Sequence, residues 1–361
     1  MVTLGVLKET KPAERRVTLV PDDVRRLRDT GATIVVQRTA GDESGFADEQ
    51  FAAAGARFAS TPDELIAAAD VVIKVKEPTR SEIAALRPGQ LFLSFLHLAA
   101  FPELIAPLCR SGATALGYET IAVDGRHPVL RPMSAVAGAL ALQIGEHYLE
   151  ATSGGRGVLL PGIEGKHTGK VVIVGSGVVG EECGRLAYGE GVRVVFVDAN
   201  PRRLDELHTR YPLAGCLAPD TDRLNDELAD ADLLVGGVYI NGARAPHVVS
   251  RTQIARMPSR SVAVDVAIDQ GGCFETSHPT SHADPVYEEA GVLHYCVTNI
   301  PSMVPRSASI ALSHALTPYL ETVLRLGPER ALEESPVLAD AVNISGGSIV
   351  LDSLKALPAS A

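Results

Sequence analysis

A glycine pattern between two apolar runs limits this chain more than any other feature. Gly175-Ser176-Gly177-Val178-Val179-Gly180 directly follows the run KVVIV and opens the stretch GEECGRLAYGEG, which has the texture of a helix. The next apolar run, VRVVFV, ends at Asp198, 18 residues beyond Gly180. A G-x-G-x-x-G alone is a weak signal, and a glycine turn without a nucleotide is its plain alternative. Placed between a strand and a helix inside one βαβ unit, it has the form of a dinucleotide-binding turn. The glycines allow a tight turn and let the backbone approach a pyrophosphate, which sits where the first helical amides lack partners. Asp198 is then placed to accept hydrogen bonds from the adenosine ribose. A carboxylate there repels a 2′-phosphate and favours NAD, whereas the following Arg202 and Arg203 are of a type that tolerates one. The carboxylate decides the reading for NAD.

The apolar runs ADLLVGGV, SVAVDVAI and LHYCVTNI extend this second βα series. They are mostly free of interior charge, as strands of a parallel sheet covered on both faces should be. The N-terminal third has the same alternation. TLGVL, ATIVVQ, VVIKVK and LFLSFLHL read as strands; DDVRRLRDTG, DEQFAAAGA, TPDELIAAA and PELIAPLCRSG read as helices. Thr61-Pro62-Asp63-Glu64 predicts a helix start, with a capping Thr before a Pro at the first helical position. SAVAGALALQIG reads as a buried helix, and SASIALSHALTPYLETVLRL returns the C-terminal part to helix. At 361 residues two domains are expected. The fold class is therefore α/β, with two doubly wound, Rossmann-like parallel-sheet domains and a cleft separating them.

A formal charge of −11 and an aromatic share of 4% argue against a nucleic-acid surface. The five cysteines form no C-x-x-C pair and no His stands at zinc-finger spacing, so neither a disulfide framework nor a metal site is expected. The first residues lack the basic and apolar regions of a signal peptide, and no run is long and apolar enough to span a bilayer. A cytoplasmic protein without a membrane partner is the expectation.

Other polar residues stand in unusual places. Lys74 and Lys76 alternate with apolar residues in VVIKVKEP and are expected on one face of a strand. Arg15 and Arg16 follow a loop in KETKPAERRV, His97 ends the apolar run LFLSFLHL, and Asp269 closes SVAVDVAIDQGG before two glycines. Polar groups at the carboxyl ends of parallel strands are where α/β enzymes place their chemistry. Each also has a bland reading: a satisfied core histidine, solvated lysine and arginine, and a turn-forming aspartate.

The segments KETK…ERRV, IKVKEP, LHLAA, PMS, GGRGVLL, VGSGVVG, VDVAIDQGGCFE and NIPSMVP resemble the alanine dehydrogenase family over essentially the whole chain. The transhydrogenase subunit and the saccharopine-forming dehydrogenases share only part of this pattern. The resemblance implies NAD-dependent, reversible oxidative deamination of L-alanine to pyruvate and ammonia. It implies a substrate domain built from residues 1–130 and 306–361, an inserted NAD-binding domain over 131–305, and a homohexamer. It places substrate binding on Arg16 and Lys76 and catalysis on His97 and Asp269. The cofactor set it implies is Ser134, Gly175, Gly177, Val178, Gly180, Asp198, Arg203, Val266, Ala267, Ile268, Val297, Asn299 and Ile300, with no metal.

The chemistry suits those types. Arg offers two parallel donors to a carboxylate, Lys offsets charge developing on a carbonyl oxygen, and His moves protons near neutral pH. Asp269 is placed to orient a water or balance an iminium. Ala135 and Ala139 replace Glu and Arg in the family pattern, and Asp220, Tyr239, Asn241 and Ile300 also depart from it. Three alternatives stay open: a paralogue acting on another L-amino acid, one that makes a secondary amine by reductive condensation, and a non-catalytic, transhydrogenase-like nucleotide-binding module.

Overall fold

The computed structural model describes residues 1–164, 166, 169–219, 221–238 and 245–355. Asp220, Tyr239 and Asn241 lie outside the described residues. The chain divides into two compact units, Met1–Met133 with Ser302–Ala361, and Ser134–Pro301. The strands in chain order begin with β1 (Thr3–Val6), β2 (Thr33–Gln37), β3 (Arg57–Ala59), β4 (Val71–Ile73), β5 (Leu91–Ser94) and β6 (Thr114–Gly117). The second unit holds β7 (Lys170–Val174), β8 (Arg193–Val197), β9 (Gly215–Leu217), β10 (Leu233–Gly236), β11 (Val262–Asp265), β12 (Val286–Glu289) and β13 (Val292–Tyr295). The chain then returns to the first unit with β14 (Val342–Ser345) and β15 (Ser348–Ile349).

The first sheet runs β15-β14-β6-β5-β4-β1-β2-β3 and the second β12-β13-β11-β10-β7-β8-β9. Both are α/β sheets of mainly parallel strands. The antiparallel pairs stand at one end of each, β14 with β6 and β15 in the first and β12 with β13 in the second. Strand period 2 explains how the first sheet is covered on both faces. Val71, Ile73, Leu91 and Leu93 join one core cluster with Leu312, Leu316 and Leu320 of the helix Pro305–Leu326. Their neighbours Val72 and Phe92 join another with Leu65, Ile66 and Leu108. Each such fully buried side chain contributes roughly 1.5–3 kcal/mol of transfer free energy.

Several local expectations hold. Thr61 caps the helix Pro62–Ala68 by accepting the Glu64 amide, and the helix Arg131–Leu149 covers SAVAGALALQIG. Two need correction. VVIKVK leaves its strand at Ile73, so Lys74 and Lys76 do not share a strand face; instead the amides of Val75 and Lys76 both donate to the Glu9 carboxylate. Asp269 does not close a strand either, because β11 ends at Asp265 and Val266–Gln270 forms a 3₁₀ turn. Among the described residues, no helix is long and apolar enough to cross a membrane, and no cluster of His, Cys, Asp or Glu is arranged to hold a metal. All five cysteines are free thiols.

Candidate functional site

In the first sheet the strand order reverses at β1, with β2 and β3 on one side and β4 to β6 on the other. The carboxyl ends of β1 and β4 therefore flank a topological switch point, where open α/β sheets bind ligands. Glu9 follows β1 and accepts the amides of Val75 at 2.8 Å and Lys76 at 2.7 Å. This fixes the backbone from which the Lys76 side chain extends. The Glu9 side chain is only 3% exposed, and its second oxygen lies 3.8 Å from the Lys74 ammonium. Burial pushes this carboxyl up to about 7, against the opposing pull of Lys74 and of the Lys76 amide. Lys74 is itself 1% exposed and sits 2.9 Å from both oxygens of Glu82, so it belongs to a buried ion pair.

His97 lies just beyond the carboxyl end of β5, with φ at +45°. A non-glycine residue in that region is strained by about 1–3 kcal/mol and persists only where its surroundings hold it. Glu119 does so, accepting the His97 amide at 2.7 Å and the Leu96 amide at 3.2 Å. The ring stacks on Phe95 with centroids 5.9 Å apart and remains 35% exposed. Its Nδ1 stands 3.6 Å from Glu77 Oε2. That is too long for a hydrogen bond, so charge holds the pair when the ring is protonated. Burial by itself would raise the Glu77 carboxyl. The His97 imidazole and the Lys11 ammonium outweigh burial and bring it down to about 2.

Of the neighbouring arginines, Arg15 is exposed and Arg16 is buried at 3%. Glu14 grips Arg16 in a fork, Nε at 2.7 Å and Nη2 at 2.5 Å, while Nη1 reaches the Met133 sulfur at 3.1 Å. The segment after Arg16 is not in the sheet, and two buried serines of the helix Pro305–Leu326 accept its amides. Ser309 takes Val17 at 2.9 Å and Ser313 takes Val20 at 3.0 Å. The C-terminal helix thus places Arg16.

In the second unit the order reverses at β7, and Gly175 follows that strand. Gly175 has φ at +88°, and a Cβ there would lie 2.6 Å from the Val238 nitrogen in the turn after β10. A Cβ on Gly180 would lie 2.2 Å from the Gly175 carbonyl oxygen. Both glycines answer to the protein's own packing. Gly177 does not: its φ is −67°, and a Cβ there would meet nothing within 4 Å. It caps the helix Val178–Gly189, whose first amides have no partner within the helix. Open space at such a terminus fits a dinucleotide pyrophosphate. Asp198, just past β8, accepts the Ser176 amide at 2.8 Å and the Asn200 amide at 2.9 Å. Arg203 donates to the Ser176 carbonyl at 2.8 Å.

Asp269 is exposed on its 3₁₀ turn and accepts the Asn299 amide at 3.2 Å, with Asn299 at φ +58°. This brings Asp269 and Asn299 together. Ser134 and Val266 are half-buried, whereas Ala267, Ile268, Val297 and Ile300 are buried. The turn is held by Asp265, which is fully buried. It accepts the amides of Ala267, Cys273 and Phe274 at 3.0, 2.8 and 3.2 Å and the Ser277 hydroxyl at 2.6 Å.

Sequence reasoning passed over Glu9, Glu14, Glu77, Glu119, Glu181 and Asp265. Glu9, Glu14 and Glu77 stand inside KETKPAERRV and VKEP, where a carboxylate beside basic residues reads as solvated charge. Only the fold brings Glu77 to His97 or Glu9 to Lys76.

The chain matches two family models: alanine dehydrogenase/PNT, N-terminal domain, over residues 5–137, and alanine dehydrogenase/PNT, C-terminal domain, over residues 141–352. It is 42% identical over 348 residues to an alanine dehydrogenase of Halomonas elongata, covering 96% of this chain and 94% of the relative. It is 40% identical over 353 residues to an alanine dehydrogenase of Bacillus subtilis, covering 97% and 93%. A solved L-alanine dehydrogenase structure superposes with a TM-score of 0.93 at 41% identity, covering 98% of each chain. The chain is a member of the alanine dehydrogenase/PNT family.

Proposed function

We propose that this chain is an NAD-dependent L-alanine dehydrogenase that interconverts L-alanine with pyruvate and ammonia. The names of its relatives support the reaction, and the pairing of His97 with an ionised Glu77 is the observation in this chain that carries it.

Arg16 and Lys76 hold the substrate. The Arg16 guanidinium, whose Nε and Nη2 are forked on Glu14, meets the substrate carboxylate by exchanging the weak Nη1 contact to the Met133 sulfur. The Lys76 ammonium hydrogen-bonds the carbonyl or carboxylate oxygen and offsets charge developing there. Bound NAD supplies hydride exchange with the substrate α-carbon. In the deaminating direction water attacks the resulting iminium carbon, and His97 takes a proton from that water as general base. It then returns a proton to the departing nitrogen, and in the aminating direction to the departing oxygen. Glu77 stays ionised throughout and steadies the imidazolium. Asp269 orients the water or balances the iminium charge.

The nucleotide is held by Gly175, Gly177, Val178 and Gly180 at the helix start, and by Asp198 and Arg203 beside the adenosine ribose. Ser134, Val266, Ala267, Ile268, Val297, Asn299 and Ile300 complete its surroundings. The Asp198 carboxylate favours NAD over NADP. The same reading makes the active species a cytoplasmic homohexamer.

The test is a substrate panel with purified protein. NADH oxidation that needs both pyruvate and ammonium supports the proposal. Oxidation that needs lysine or ornithine in place of ammonium overturns it in favour of reductive condensation. Tight NADH binding without turnover on any such pair leaves a nucleotide-binding module.

A further inference from the structure

Arg203 has three donor corners, and all are engaged. Nε donates to the Ser176 carbonyl at 2.8 Å, Nη1 to Glu206 at 3.0 Å, and Nη2 to Glu181 Oε2 at 2.5 Å. The other oxygen of Glu181 pairs with Arg210. Ser176 is held from both sides, because its amide donates to Asp198 at 2.8 Å while its carbonyl accepts from Arg203. The anion that reads a ribose and the cation beside it are thus bonded to one residue of the glycine turn.

An arginine in this place is the residue type that receives a 2′-phosphate. Here its outer nitrogens already face carboxylates. The Glu206 contact is weak, since that side chain is 62% exposed and screened by solvent. Glu181 is 12% exposed, shared by two arginines, and mounted in the first turn of the helix Val178–Gly189.

We propose that Glu181 is a specificity-determining residue: by sequestering Arg203, it denies a 2′-phosphate its cationic partner and so reinforces the preference for NAD. The inference rests on reading the turn from Gly175 to Gly180 as a dinucleotide site. Two devices then act together. Asp198 repels the phosphate directly, and Glu181 withholds the countercharge. Neutralising Asp198 alone leaves Arg203 tied to Glu181, so the phosphate meets only the exposed Arg202. Freeing Arg203 alone leaves the repulsion in place. Removing both therefore has more than the combined separate effects, as expected of groups that act on one ligand atom set.

The experiment measures kcat/KM and Kd for NADPH and NADH with wild type, Asp198→Asn, Glu181→Gln and the double variant. Asn at 198 loses the charge and keeps one acceptor oxygen, enough for either the Ser176 or the Asn200 amide. The NADPH-to-NADH ratio of the double variant should exceed the product of the single gains by about tenfold, the scale of one charge-assisted phosphate contact. Adding Arg203→Gln should cancel that excess. A double variant that equals the product overturns the inference, and so does an excess that survives Arg203→Gln. If Glu181→Gln does not fold, Glu181→Ala with Asp198→Asn replaces it and should give a comparable excess; none at all overturns the inference. Wild-type protein that binds neither nucleotide overturns the dinucleotide reading and this inference with it. NADH binding without any excess in the variants overturns only the inference.

Discussion

Glu77 Oε2 lies 3.6 Å from His97 Nδ1 at the carboxyl edge of the first sheet, and that carboxyl is held down to about 2 despite its burial. A histidine with its backbone locked by Glu119 and an anion at one ring nitrogen is placed to carry a proton at the other.

Glu77→Gln removes the negative charge and keeps the shape. We expect kcat to fall by about 10- to 100-fold, within the usual range for impaired general acid–base catalysis, with little change in the KM for pyruvate. The kcat and KM values from NADH-oxidation assays across pH check this. A KM rise at constant kcat would place Glu77 in substrate binding instead.

Glu9 makes stability depend on pH with a definite sign. Its folded value of about 7 lies above the ordinary 4.5, so the folded state binds the extra proton. The contribution is full below 4.5 and is lost as pH rises through 7. The loss is roughly 3–4 kcal/mol. Glu9→Gln keeps an acceptor for the Val75 and Lys76 amides and cannot ionise. Denaturant midpoints between pH 5 and pH 8 should fall for wild type and change less for the variant; parallel curves would contradict the assignment.

Gly177 separates a ligand requirement from a folding requirement. Because a Cβ there meets nothing within 4 Å and φ is −67°, Gly177→Val should leave the melting temperature nearly unchanged. Crowding at the helix start should weaken NADH binding by about 100-fold or more, a loss comparable to several hydrogen-bonded phosphate contacts. Fluorescence titration of NADH reads it. Unchanged affinity would move the pyrophosphate elsewhere.

The glycine turn between β7 and its helix was legible because such a turn demands glycines at set spacing, and the place of Asp198 followed from the next strand end. His97, Lys76 and Asp269 were visible as polar residues at the ends of apolar runs, but their roles came from the resemblance alone. The carboxylates that hold them were not legible. Glu9 and Lys76 stand 67 positions apart, and no local pattern marks a contact of that range. The same contact explains the strand misread at Lys74 to Lys76, since Glu9 takes amides that a longer strand would give to its neighbour. Short strands such as β3 (Arg57–Ala59) and β6 (Thr114–Gly117) lack an apolar run long enough to signal.

The proposed role of His97 as proton carrier of an NAD-linked amination is open to one paired measurement. His97→Ala should lower NADH oxidation by pyruvate and ammonium by about a thousandfold or more, while NADH titration gives an affinity within about twofold of wild type. Near-normal turnover in that variant, with NADH bound as before, would contradict the account.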